Sequence, residues 1–123
     1  MHIGVLIVDD EEDIRLLMRT LIEAVNVELF VLGEAATGEE AMEQVRELDP
    51  QVVVLDERMP GMTGVETATH ILRNRPGQRM ILCSAYLDDA LSESAIAAGV
   101  KICISKHEVQ EIPELLREVM GTA

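Results

Sequence analysis

Polar residues able to do chemistry stand directly after short apolar runs in this chain. Asp9 and Asp10 follow Ile3–Val8 (IGVLIV), Asp56 follows Val52–Leu55, Ser84 follows Met80–Cys83, and Lys106 follows Lys101–Ser105. Taken singly, each has an ordinary explanation. Acids from Asp9 to Asp13 favour a helix start, Asp56 suits a turn, Ser84 a helix cap, and Lys106 a solvated surface. Taken together they make a workable phosphoryl-transfer set. Three carboxylates brought to one place repel one another and resist joint ionisation, a conflict that a divalent cation removes. The donors are all oxygens and no Cys or His joins them, which favours Mg²⁺ over Zn²⁺. Asp56 would attack phosphorus as the nucleophile, Lys106 would neutralise the equatorial oxygens beside the metal, and Ser84 would hydrogen-bond one of them.

Other chemistries lack their residues. His2, His70 and His107 are scattered, so a histidine metal site is not expected. No G-x-S-x-G nucleophile elbow and no GxxxxGK[ST] loop occurs, so the phosphoryl donor must bring its own activated group. Cys83 and Cys103 lie in apolar segments without CxxC spacing and read as buried reduced thiols of a cytoplasmic protein.

The elements that must position these residues follow from the hydrophobic pattern. Ile3–Val8 is a continuous β-branched run, as expected of a strand buried on both faces. Ile14, Leu17, Met18, Leu21, Ile22 and Val25 then repeat at helical spacing. A second strand is expected over Val27–Ala36, followed by a helix capped by Thr37, carrying Ala41, Met42, Val45 and Leu48 on its inner face and ended by Asp49-Pro50. Val52–Leu55 is the third strand, and Val65, Ala68, Ile71 and Leu72 mark a helix stopped by Pro76-Gly77. Met80–Cys83 is the fourth strand; Leu87, Leu91, Ala95 and Ala98 mark the next helix. Lys101–Ser105 is the fifth strand, and Val109, Ile112, Leu115, Leu116 and Val119 form a last amphipathic helix. Five alternations of strand and helix imply an α/β fold with a doubly wound parallel sheet and helices on both faces. Ligands bind such sheets beyond the carboxyl ends of the strands, which is where the reactive residues fall.

Composition sets the boundaries. The 123 residues suit one domain spanning 1–123, without repeats or linkers. Hydrophobic residues make up 48% and aromatics only 2%, so the core must be aliphatic. No apolar run approaches the roughly 20 residues of a membrane span, and MHIGVLIVDDEED does not read as a secretory signal. The net charge of −13, from 23 acidic and 10 basic residues, argues against nucleic-acid binding by this domain.

LIVDDEE, VVVLDERMPGMTG, LCSA and ISK, in that order, resemble the receiver domain of two-component response regulators over essentially the whole chain. The D-x-x-M-P-x-M-x-G stretch from Asp56 to Gly64 is the most specific piece. The resemblance implies the flavodoxin-like strand order 2-1-3-4-5, the order of the chemotaxis regulator CheY. It also implies that Asp56 accepts the phosphoryl group, that Asp10 and Asp56 ligate Mg²⁺ directly, and that Asp9 acts largely through water. The main-chain carbonyl of Arg58 would complete the protein ligands, Ser84 would be the switch hydroxyl, and Lys106 the phosphate-pairing lysine. The donor would be a histidine kinase or phosphotransfer protein, and the domain would catalyse only its own phosphorylation and dephosphorylation. Two positions depart from the family pattern. Cys103 stands where many receivers carry a switching aromatic residue, and His107 replaces the proline that often follows the lysine. A cis bond before His107 would cost about 2.5–4 kcal/mol, so a trans bond is expected. These departures motivate a second reading, an interaction module independent of phosphorylation. A homodimer through the face of the fourth and fifth helices, with Leu87, Leu91, Ala95 and Ala98 as its apolar patch, is a further expectation. Arg58 and Tyr86, each two residues beyond a reactive residue, are expected to set the lifetime of the phosphate.

Overall fold

The computed structural model describes residues 2–25 and 28–121. β1 (Ile3–Val8), β2 (Leu29–Ala35), β3 (Val52–Leu55), β4 (Arg79–Ser84) and β5 (Ile102–Ser105) form one parallel sheet in the order β2-β1-β3-β4-β5. Between them run α1 (Glu12–Val25), α2 (Gly38–Leu48), α3 (Gly64–Asn74) and α4 (Asp89–Ala98), with α5 (Ile112–Val119) last. This is the doubly wound arrangement and strand order expected from the sequence. Val27, the expected start of β2, lies outside the described residues.

The period-two geometry of a strand divides the central apolar runs between two cores. Ile3, Val5, Ile7, Val52, Val54, Ile81, Cys83 and Ile104 meet Met18 and Ile22 of α1 and Ile112 and Leu116 of α5. Leu6, Val8, Val53, Leu55, Met80 and Leu82 face the other way, onto Ala41 and Val45 of α2, Ala68 and Ile71 of α3, and Ala95 of α4. All of β1 and β3 is buried, which explains runs that are apolar at every position.

Caps fix where several helices begin. The Thr37 hydroxyl accepts from Glu40 N at 3.1 Å, as expected at the start of α2. Thr63 caps α3 in a reciprocal box with Glu66. Asp49 leaves α2 in the left-handed region (φ 50°) immediately before Pro50.

Several expectations need correction. Leu17 is 43% exposed and Leu16 61%, so the buried stripe of α1 runs through Met18 and Ile22. Asp88 caps α4, which leaves Leu87 before the helix, and Ala95 is buried in the core rather than on an outer dimerisation patch. The last helix does not begin at Val109. Lys106–Glu111 form a 3₁₀ turn, and α5 starts at Ile112 with Pro113 in its first turn, the part of a helix where a missing N–H costs little.

Candidate functional site

The carboxyl ends of β1, β3 and β5 converge on one acidic cluster. Asp9 directly follows β1 and is fully buried, its N–H donating to Ala35 O of β2 at 3.0 Å. Asp56 directly follows β3, is 4% exposed, and its N–H donates to Val8 O at 2.9 Å. Asp10 is exposed at the mouth. Each of Asp9, Asp10 and Asp56 offers a carboxylate oxygen, and the three oxygens lie within 4.8 Å of one another. Lys106, the residue after β5, places Nζ 2.8 Å from Asp9 Oδ2, 3.3 Å from Asp56 Oδ2 and 3.8 Å from Glu11.

Electrostatics follow from burial at close quarters. Burial, and then the charge of Asp9, push the Asp56 carboxyl up to about 6, against the opposing pull of Lys106. Burial alone would lower the Lys106 ammonium, but its hydrogen bond to Asp9 and the charges of Asp9 and Asp56 outweigh this and raise it. One ammonium therefore serves two buried carboxylates. Asp9 Oδ2 is buried, and its charge is met by the Lys106 ammonium 2.8 Å away. Asp9 Oδ1 accepts from Glu11 N and Asp56 Oδ1 from Glu57 N, both at 2.9 Å, which fixes each carboxylate plane. An all-oxygen donor set of this charge and spacing fits Mg²⁺.

Ser84 and Arg58 sit less simply. Ser84 is buried at the end of β4, across from Ser105 in β5, and its hydroxyl accepts from Tyr86 N at 3.3 Å. Arg58 is exposed and lines, with Asp10, Pro60, Tyr86 and Leu91, a cleft of about 620 Å³ beside the cluster. Its guanidinium lies over the Tyr86 ring, 4.5 Å from the centroid, so the two residues flanking the site touch each other in the cleft lining. Cys103 is only half-buried, packs against the second core and hydrogen-bonds to Ser92, whereas Cys83 is fully buried as expected. Among the described residues no peptide bond is cis, consistent with the trans bond expected before His107, whose N–H donates to Ser105 Oγ at 3.1 Å.

Sequence reasoning missed three supporting residues. Glu57 accepts from Val65 N at 2.8 Å, tying the loop after Asp56 to the start of α3. Arg15 Nη1 donates to the main-chain oxygen of Asp9 at 2.6 Å, and its Nε donates to Glu34 at 2.9 Å. Burial would raise the Glu34 carboxyl, yet hydrogen bonds from Arg19 and Arg15 and their charges hold it below its ordinary value. Arg15 sits one helical turn or more beyond the acid pair, a spacing compatible with contact, but nothing in the sequence singled it out.

Comparisons with known proteins agree with this fold. A sequence model of the response regulator receiver domain matches residues 5–118. The chain is 37% identical to chemotaxis protein CheY of Thermotoga maritima over 94% of this chain and 95% of that protein. It is 33% identical to response regulator protein VraR of Staphylococcus aureus over 96% of this chain and 56% of that protein. Its fold superposes on a LuxR-family two-component response regulator from Aurantimonas sp. SI85-9A1 with a TM-score of 0.94, at 27% identity, covering 99% of this chain and 87% of that one. It also superposes on the response regulator domain of Thermotoga maritima CheB with a TM-score of 0.89, at 26% identity, covering 98% of each. The alternating strands and helices and the strand order thus have one common source: the chain belongs to the response regulator receiver domain family.

Proposed function

We propose that this receiver domain accepts a phosphoryl group on Asp56 from the phosphohistidine of a cytoplasmic histidine kinase or phosphotransfer protein, in a Mg²⁺-dependent reaction. The observation that carries this reading is the convergence of the Asp9, Asp10 and Asp56 carboxylates within 4.8 Å. A carboxylate oxygen of Asp56 forms the new bond to phosphorus as the P–N bond breaks, and the imidazole leaves with the bonding electrons. Asp10 and Asp56 would hold the metal directly, Asp9 through water, and the Arg58 carbonyl would join them. When bound, Mg²⁺ supplies Lewis-acid charge neutralisation on the phosphoryl oxygens. Lys106, already 3.3 Å from Asp56, would follow the new charge and pair with a phosphoryl oxygen. Ser84 would exchange its bond from Tyr86 N for one that its own hydroxyl donates to the phosphoryl group. The domain then acts on no substrate but itself. It signals through a changed interaction face, with a homodimer over α4 and α5 as one outcome; the exposed side chain of Ile96 on α4 would contribute apolar area that the buried Ala95 does not.

The test is intact mass after incubation with acetyl phosphate, with and without Mg²⁺. The expected result is a Mg²⁺-dependent gain of one phosphoryl group that Asp56→Asn abolishes. A gain that persists in Asp56→Asn would move the acceptor elsewhere.

Cys103 favours a second reading. A half-buried thiol bonded to Ser92 cannot swing between core and solvent as an aromatic ring does. The domain would then be an interaction module indifferent to phosphorylation, and wild type and Asp56→Asn would bind its partner equally.

A further inference from the structure

Asp9 lies one residue past the last rung of β1. Its N–H is tied to Ala35 O, but the donor to its carbonyl is a side chain rather than a strand: Arg15 Nη1, at 2.6 Å. Arg15 reaches back from α1 with its side chain only 17% exposed. A guanidinium this deeply placed needs an acid, and Glu34 on β2 provides it at 2.9 Å from Arg15 Nε. The other oxygen of Glu34 binds Arg19, at 2.8 Å from Nη2 and 2.9 Å from Nε, so the Glu34 carboxylate is gripped from both sides. Gln44 of α2 fixes Glu34 further by donating to its main-chain oxygen at 2.5 Å. A chain of directional contacts thus runs from α2 and β2 through Glu34 and Arg15 to the main chain of the acid pair.

Resting on the reading that the acid cluster holds Mg²⁺, we propose that Arg15, oriented by Glu34, is a positioning residue that fixes the Asp9 main chain so that the carboxylates of Asp9 and Asp10 meet that of Asp56 in ion-binding geometry. The planar fork is the reason for an arginine. Two of its nitrogens point at once to a carbonyl and to a carboxylate in fixed directions, which a lysine ammonium cannot reproduce. Outer partners of metal ligands commonly govern affinity in this way.

Positioning and plain electrostatics predict opposite signs, which makes the inference testable. Arg15 is a cation near a cation site, so charge alone says that removing it tightens metal binding. Loss of the Asp9 anchor says that binding weakens. The measurement is Mn²⁺ affinity, read from the free-ion electron paramagnetic resonance signal without any phosphorylation, alongside far-ultraviolet circular dichroism as a check on folding. Arg15→Ala is expected to weaken Mn²⁺ binding about tenfold or more. Arg15→Lys should not restore it, Glu34→Gln should lose several-fold, and Arg19→Ala should stay within about twofold of wild type. Unchanged or tighter binding by Arg15→Ala, full restoration by Arg15→Lys, or an equal loss in Arg19→Ala would overturn the proposal. If Arg15→Ala does not fold, Glu34→Gln decides: wild-type affinity there overturns it as well. Failure of wild type itself to bind Mn²⁺ would be a different result, removing the metal-site reading and this inference with it.

Discussion

The Cα of Gly64 packs directly against the main-chain oxygen of Asp56, so closely that a Cβ at Gly64 would overlap that oxygen and come within 2.9 Å of Glu57 Cα. Gly64 N also donates to Glu57 O at 2.9 Å. The first residue of α3 thereby holds the backbone that presents Asp56. Neither neighbour is a flexible side-chain end, so Gly64→Ala must displace the backbone of Asp56 and Glu57. The expected cost is about 1–3 kcal/mol in stability. Phosphorylation should slow more than the stability loss explains, because the proposed acceptor itself moves. Urea unfolding and acetyl phosphate kinetics on the same variant check both parts.

The raised Asp56 carboxyl has a definite pH signature. Its folded value of about 6 lies above the unfolded reference of 3.8, so the folded protein holds this proton more tightly. The group's contribution to stability is therefore fully present below the unfolded value and lost as pH rises through the folded one. In metal-free protein, Asp56→Asn should be more stable than wild type at neutral pH by up to roughly 2–3 kcal/mol. The advantage should shrink as acid protonates wild-type Asp56. Saturating Mg²⁺ should stabilise wild type and leave the variant nearly unaffected. Denaturant titrations across pH, with a chelator and with Mg²⁺, provide the check; an Asn variant no more stable than wild type at neutral pH would contradict the electrostatic account.

Arg58 and Tyr86, which both line the cleft, make a cation–π contact with 4.5 Å between guanidinium carbon and ring centroid. An exposed contact of this kind is worth about 0.5–1 kcal/mol. If it screens the aspartyl phosphate from water, Arg58→Ala and Tyr86→Ala should each speed hydrolysis about two- to fivefold, with the double variant adding little. Decay of the phosphorylated mass after removal of the donor measures this directly. Rates that stay at the wild-type value in all three variants would leave these side chains without a part in phosphate lifetime.

The two thiols should behave differently although both lie in strands. Cys83 is fully buried between β-sheet and helices, and burial pushes its thiol up to about 12. Cys103 is half-buried; burial raises its thiol too, against the hydrogen bond from Ser92. A thiol-exchange reagent should therefore modify one thiol per chain in native protein, slowly, and a second only on unfolding. Cys103→Ser should abolish the native reaction.

Much of this protein was legible without coordinates because its information is periodic and local. A strand buried on both faces must be apolar at every position, so β1 and β3 could be read directly, and the alternation of strands with helical spacing fixed the fold class. The site was legible for a related reason: a parallel sheet gathers the carboxyl ends of its strands on one rim, so Asp9, Asp10, Asp56 and Lys106 could be assigned to one place from order alone. Boundaries were less legible. The apolar spacing that put Leu17 inside and began the last helix at Val109 cannot distinguish a wide stripe from a narrow one, nor a 3₁₀ turn from a helix. What only the tertiary structure decided is how distant residues meet. The clamp from Glu34 through Arg15 to Asp9, the contact of Gly64 with Asp56 and the stack of Arg58 on Tyr86 each join different elements. Their formation depends on interelement distances of a few ångströms, set by how the helices and loops pack against the sheet, and a linear pattern of residue types carries no such distance.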